Sequence, residues 1–205
     1  RDAMSPLVSA NPALADDLAH LYGWISRAHE KLGDYSRAIE LQHAKQDLFN
    51  SVPDAAKNKQ VQRGLQNALN EIARLELTRG NITVAEVQAE ASARQAKAIA
   101  ESDPDNRFWL NEQCQALIRL ATIQIVRDQK VVARKTLARA QFDSTRLIGI
   151  DATRVETQVY LRGSILALAV RVKTNPSQSL RTSLDEYVVP IRQRIDRATI
   201  PPPNH

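Results

Sequence analysis

The sequence predicts an all-α chain of about four antiparallel helix pairs. Three observations carry that prediction: a composition rich in helix formers, a pattern that returns every 47 to 48 residues, and turn residues where each pair folds back. The 205 residues are 43% hydrophobic, 25% charged and only 4% aromatic, with six glycines and nine prolines, which sets the chain apart from disordered, collagenous and strand-rich sequences. That length provides ample material for a buried core. A lone Cys114 excludes an intrachain disulfide framework and a Cys-rich zinc cluster, and is read as a small core hydrophobe.

The repeat is most visible at its turns. Lys31-Leu32-Gly33-Asp34-Tyr35-Ser36-Arg37-Ala38 returns in outline as Thr78-Arg79-Gly80-Asn81-Ile82-Thr83-Val84-Ala85, then as Asp128-Gln129-Lys130-Val131-Val132-Ala133, and by position as Asn175-Pro176-Ser177-Gln178. Gly33, Gly80, Asp128 and Asn175 are residue types that tolerate left-handed backbone or cap a helix. Five residues after the first three stand Ala38, Ala85 and Ala133, small enough for two helices to approach closely; Leu180 breaks the rule in the fourth unit. Before each turn the register holds as well. Tyr22, Leu69 and Leu117 correspond, as do Ile25, Ile72 and Leu120, and the small residues Ser26, Ala73 and Ala121, which together define a packing face.

Helices are therefore expected over residues 12–32, 35–50, 54–79, 83–102, 104–128, 130–148, 151–173 and 176–198. Asn11-Pro12, Asp103-Pro104 and Asn175-Pro176 each put a cap residue before a first-turn proline, and Thr83 with Glu86 reads as a capping box. Capping also explains Asn81-Ile82-Thr83, which matches a glycosylation acceptor. Pro190 is expected to kink or divide the last helix. The units fall at about 12–52, 53–102, 103–149 and 150–198, between an N-terminal extension (1–11) and a Pro-rich tail (199–205). Trp24 and Trp109 stand at packing intervals and are read as core.

Residues Leu21 to Glu40, with Gly33, Asp34, Tyr35 and Ala38 in order, resemble a unit of the tetratricopeptide repeat family. The second and third units match progressively less, and the fourth matches by position and length. The period of 47 to 48 residues in place of 34, and Ser26 in place of a glycine, depart from the common pattern and resemble the family's long-helix variants. Asp103-Pro104-Asp105-Asn106-Arg107-Phe108-Trp109 is similar to inter-repeat segments of bacterial signalling proteins. The resemblance implies a right-handed superhelix whose first helices line a concave groove. It further implies a non-catalytic scaffold that binds a peptide or partner segment, as the docking or sensing part of a larger bacterial signalling or regulatory protein.

Family positions carried onto this chain put Arg27 and Arg74 at equivalent groove places, and His20, Asn67, Gln115 and Arg162 nearer the helix starts. Asn70 stands one turn before Arg74, where Gly23 stands before Arg27. Two guanidiniums in register suit a carboxylate, and amide side chains suit a peptide backbone. The family's Lys and Asn carboxylate clamp is not matched, because Gly23 and Arg27 occupy two of its places. Ile118, Thr122 and Ile125 make the third unit's share of the groove more apolar.

Charge supplies an alternative. Residues 1–106 hold 12 Lys/Arg against 15 Asp/Glu, and residues 107–205 hold 16 against 8, so the second half is the basic one. A basic helical domain binding nucleic acid through this Arg-rich half is the second reading. It is disfavoured because the arginines are scattered at near-helical intervals and no Gly-rich loop or aromatic-basic interleaving accompanies them. No HExxH, nucleophile elbow or phosphate loop is present, so neither catalysis nor a metal or cofactor is expected. Glu30 and Asp34 bracket a turn but sit in no evident apolar pocket. The longest uncharged apolar stretch, near Gly163 to Val170, is too short for a membrane span, and a soluble cytoplasmic segment is expected. Arg1, with no charged-then-apolar leader after it, reads as the start of a mature or excised segment. Self-association through the ends of the array is also expected, since a solenoid exposes apolar surface where a neighbouring unit would stack.

Overall fold

The structure is a computed structural model that describes residues 12–150, 163–165, 167–169 and 171–172. It is all-α, with no strand among the described residues. Six helices run in order: α1 (Pro12–Lys31), α2 (Tyr35–Asn50), α3 (Lys59–Thr78), α4 (Ile82–Glu101), α5 (Arg107–Val126) and α6 (Lys130–Ile150). Residues 163–165, 167–169 and 171 are also helical. Every helix packs on its neighbours in the chain, and the first helices of successive pairs also touch, α1 against α3 and α3 against α5.

The three turns within pairs are built alike. Gly33, Gly80 and Asp128 have φ of +79°, +85° and +59°, the left-handed conformation that the spacing calls for. Around each, two backbone bonds close the helix end. Gly33, Gly80 and Asp128 donate N–H to Glu30, Leu77 and Ile125, and the next residues Asp34, Asn81 and Gln129 donate to His29, Glu76 and Gln124 at 2.9, 2.9 and 2.8 Å. This is the Schellman arrangement three times over. Ala38, Ala85 and Ala133 then lie fully buried one turn into the following helix. Facing them, Ser26, Ala73 and Ala121 are buried too, and the Ser26 hydroxyl donates to the Ala38 carbonyl at 2.9 Å. That bond is why a serine is accepted at a position otherwise held by alanine.

The helix starts between pairs differ from expectation. α3 begins at Lys59, not 54, because Asp54 takes a positive φ of 53° that stops a helix there, and Asn58 is the cap, accepting from Gln60 and Val61 N–H. α5 begins at Arg107, not 104. Asn106 caps it by accepting from Phe108 N–H, while Asp103 lies outside the helix and accepts from the Asn106 amide at 3.0 Å. The Thr83–Glu86 capping box does not form. The chain leaves the Gly80 turn directly into α4, so Asn81 is the boundary residue; its amide donates to Glu76, and Glu86 is held by Arg127.

Trp24 departs from the core position expected of it: it is 68% exposed, because none of the described helices covers that side of α1. Trp109 is core, 5% exposed, packed with Ile99 and Ala100 and edge-on to Phe108 at 4.8 Å. Cys114 is buried as expected, and burial pushes its thiol well above the usual range. The N-terminal extension, Asn11, Asn175-Pro176, the Pro190 kink, most of the two helices expected over 151–173 and 176–198, and the Pro-rich tail lie outside the described residues.

Candidate binding cleft between first helices

The first helices α3 and α5, together with Ser164, Ala167 and Leu168, line a cleft of about 290 Å³. Asn70 contributes from α3, and Gln115, Ile118, Arg119 and Thr122 from α5. Ser164, Ala167 and Leu168 close the far side. The register of the repeat explains this convergence: Asn70 and Ile118 are equivalent positions of adjacent units and project from the same side of parallel helices.

The cleft is chemically mixed. Ile118, Ala167 and Leu168 offer apolar surface, the size of which suits one side chain rather than a cofactor. Gln115 is exposed and can both donate and accept. Thr122 donates its hydroxyl to the Ile118 carbonyl at 2.8 Å, which leaves its oxygen as an acceptor. Asn70 Oδ1 is buried and accepts no hydrogen bond from the described residues, which leaves it as an open acceptor at the cleft wall.

The other expected groove residues have different surroundings. Arg74 is already engaged. Its two Nη atoms meet the Glu30 carboxylate at 2.5 and 2.6 Å, and its Nε meets Glu71 at 3.0 Å. The guanidinium hydrogen-bonded to Glu30 holds that carboxyl below its usual range, and the same bond raises the Arg74 pKa. Arg74 therefore ties α3 to α1, and a ligand carboxylate would have to displace Glu30. Arg27 is exposed on α1, close enough to Glu30 to favour its ionised form and to Lys45 to disfavour its charge. Burial is the larger reason that the Lys45 pKa is lowered. His20 is exposed, with Nδ1 2.8 Å from the Asp16 carbonyl. Asn67 is half-buried on α3, and Arg162 lies outside the described residues.

Two features were not singled out from sequence. Arg119 lines the cleft, although its position corresponds to Glu71 and Trp24 in the earlier units. Glu112 is half-buried, 3.9 Å from Arg63, and burial pushes its carboxyl above the usual range. Only the repeat register, extended to every position of the first helices, would have pointed to Arg119. Among the described residues no three metal-binding side chains cluster, and no helix is long and apolar enough to cross a membrane.

Four arginines of the basic half are held by protein acceptors. Arg127 pairs with Glu86, and Arg139 donates to buried Asp143 at 2.9 Å. Arg134 and Arg146 donate to the backbone carbonyls of Val172 and Pro104, each at 3.0 Å. No protein-family model matches the sequence, and no curated protein matches it.

Proposed function

We propose that the chain is a non-catalytic scaffold of tetratricopeptide type. It binds an extended peptide along the wall of α1, α3 and α5, with an apolar side chain of the peptide seated in the Asn70–Leu168 cleft. The observation that carries this reading is the buried Asn70 oxygen, without a partner among the described residues, beside apolar Ile118 and Leu168. A peptide N–H satisfies that acceptor while the neighbouring side chain enters the apolar part, so both halves of the cleft are used by one ligand. Contact between successive first helices supports the superhelical arrangement in which such a wall is concave. The Asp103–Trp109 segment supports a docking or sensing role inside a larger signalling protein of bacterial type.

Nucleic-acid binding by the basic half is the weaker reading, because Arg127, Arg134, Arg139 and Arg146 already serve protein acceptors. Around the second concavity, on the α4–α6 side, Arg94 and Lys97 likewise meet Glu90 and Glu101 on their own helix. The test is selection of a random peptide display library on the wild-type chain, with fluorescence anisotropy of the enriched peptides and of a short duplex DNA at two salt concentrations. Peptides with a shared apolar residue, bound nearly independently of salt and weakened roughly tenfold or more by Asn70→Leu, meet the proposal. DNA binding that falls steeply with salt, with no peptide enriched, would establish the other reading.

A further inference from the structure

The face of α1 that points away from the other described helices is apolar from Leu18 to the turn at Leu32. Leu21, Trp24, Ile25 and Leu32 are 45%, 68%, 37% and 81% exposed, and Ala28 is exposed among them. Their spacing puts all five on one stripe of the helix, continued at its N-terminal end by half-buried Leu18. Isolated exposed leucines are ordinary, whereas a continuous stripe marks a contact surface.

The inner units show what such a face does when covered. The counterparts of Leu21, Ile25 and Ala28 are Ala68, Ile72 and Leu75 in α3, and Ala116, Leu120 and Ile123 in α5. All six are buried, Ile72 and Leu75 against Ala38 and Ile39 of α2, and the α5 trio against Ala85, Ala89 and Ala93 of α4. In α1 the stripe is wider than in either. Where α1 carries Trp24 and is followed by Leu32, α3 carries Glu71 and is followed by Arg79, and α5 carries Arg119 and is followed by Arg127. A second helix stacked as α2 stacks on α3 leaves those two positions polar. The occupant of the α1 face therefore reaches further than a neighbouring repeat does.

We propose that this occupant is α1 of a second copy of the chain, docked antiparallel across a two-fold axis at Trp24. Charge supports that partner and that direction. Asp17 and Lys31 flank the stripe at its two ends and have no ion-pair partner among the described residues. They lie seven residues to either side of Trp24, so an antiparallel pair centred there sets Asp17 of each copy against Lys31 of the other. The stripe is self-complementary in charge. A parallel pair would oppose like charges. This inference stands apart from the peptide reading, since the Asn70 cleft lies between α3 and α5 and is left open.

The test is sedimentation equilibrium of the full chain over a wide concentration range, with tryptophan emission recorded on the same samples. Only two tryptophans are present and Trp109 is already buried, so a blue shift with rising concentration reports Trp24. The expected result is a reversible dimer with that shift. Trp24→Glu is expected to make the chain monomeric with unchanged helicity. Asp17→Lys is expected to raise the dissociation constant about tenfold, and Asp17→Lys combined with Lys31→Asp to restore it. A monomer at every concentration, a dimer indifferent to Trp24→Glu, or a charge swap that fails to restore association would each overturn the proposal.

Discussion

The joints within helix pairs and the seams between pairs are built on different principles. At Gly33, Gly80 and Asp128 the same left-handed turn recurs with the same two backbone bonds, and each is followed by a fully buried alanine. The seams share little beyond an asparagine cap. The connection to α3 contains Asp54 with positive φ, the connection to α5 is shorter, and the ion pairs that cross seams include Glu30–Arg74 at one and both Glu86–Arg127 and Arg63–Glu112 at the other. A joint depends on backbone conformation, which few residue types satisfy, so it repeats recognisably. A seam depends on complementary side-chain volumes and charges, for which many solutions exist, so each is made separately.

The largest effects should come from breaking a seam's apolar contact. Ile72 is fully buried between α3 and α2, and Ile72→Ala is expected to cost about 2–5 kcal/mol in denaturant unfolding. The equivalent Ile25→Ala, at a 37% exposed position with no seam, should cost under about 1 kcal/mol in the monomer. Equal losses would mean that α1 is covered like the inner helices. Next comes Gly64, where an added Cβ would stand 2.3 Å from the Phe49 ring, inside any permitted contact. Phe49 is itself buried in the α1–α2–α3 cluster, so the ring cannot simply swing away. Gly64→Ala is expected to destabilise by about 1–3 kcal/mol, and Phe49→Leu in the same chain to recover part of it.

The charged part of the seam is smaller and depends on pH. Glu30 and Arg74 are each about a quarter exposed, which sets their pairing between surface and buried cases, and a double-mutant cycle should return a coupling of about 1–2 kcal/mol. The sign of the pH effect follows from the lowered Glu30 pKa, whose first cause is the hydrogen bond from Arg74. A carboxyl with a depressed folded-state value binds fewer protons when folded, so its stabilisation is present above the ordinary value of 4.5 and is lost as pH falls through the lower folded value. Wild type should therefore lose stability below pH 4.5 more steeply than Glu30→Gln, in parallel acid titrations of unfolding.

What could be read from the sequence follows the same division. The turn residues, the buried alanines and the helix-pair order were legible, because Gly33, Gly80 and Asp128 with Ala38, Ala85 and Ala133 answer to a backbone requirement that only a few residue types meet. The engagement of Arg74 was not. Its equivalence to Arg27 is a true statement about register, but Glu30, which occupies it, lies on another helix. Trp24 misled for a related reason: packing periodicity says which positions share a face and cannot say whether a neighbour exists to cover it. Asn70, Gln115 and Ile118 were found by register and do converge in the cleft, whereas Arg119 breaks the pattern of its own column.

The smallest effect tests the joint itself. Asp128 occupies a left-handed position held by glycine in the two preceding units. A non-glycine residue there bears strain of roughly 1–2 kcal/mol, less for aspartate than for alanine, and glycine avoids that strain but loses about 0.5–1 kcal/mol of backbone entropy on folding. Asp128 also meets Lys130 Nζ at 2.7 Å, an exposed pair that contributes little. These terms nearly cancel, so Asp128→Gly should change stability by only a few tenths of a kcal/mol, in the stabilising direction. Asp128→Ala keeps the strain and loses the carboxylate, and should cost about 1 kcal/mol. The order glycine, aspartate, alanine in thermal midpoints is therefore the signature of a joint governed by φ. If alanine equals aspartate, the turn at 128 is held by the packing of Ala133 and Ala121 rather than by its own backbone, and the third joint behaves as a seam.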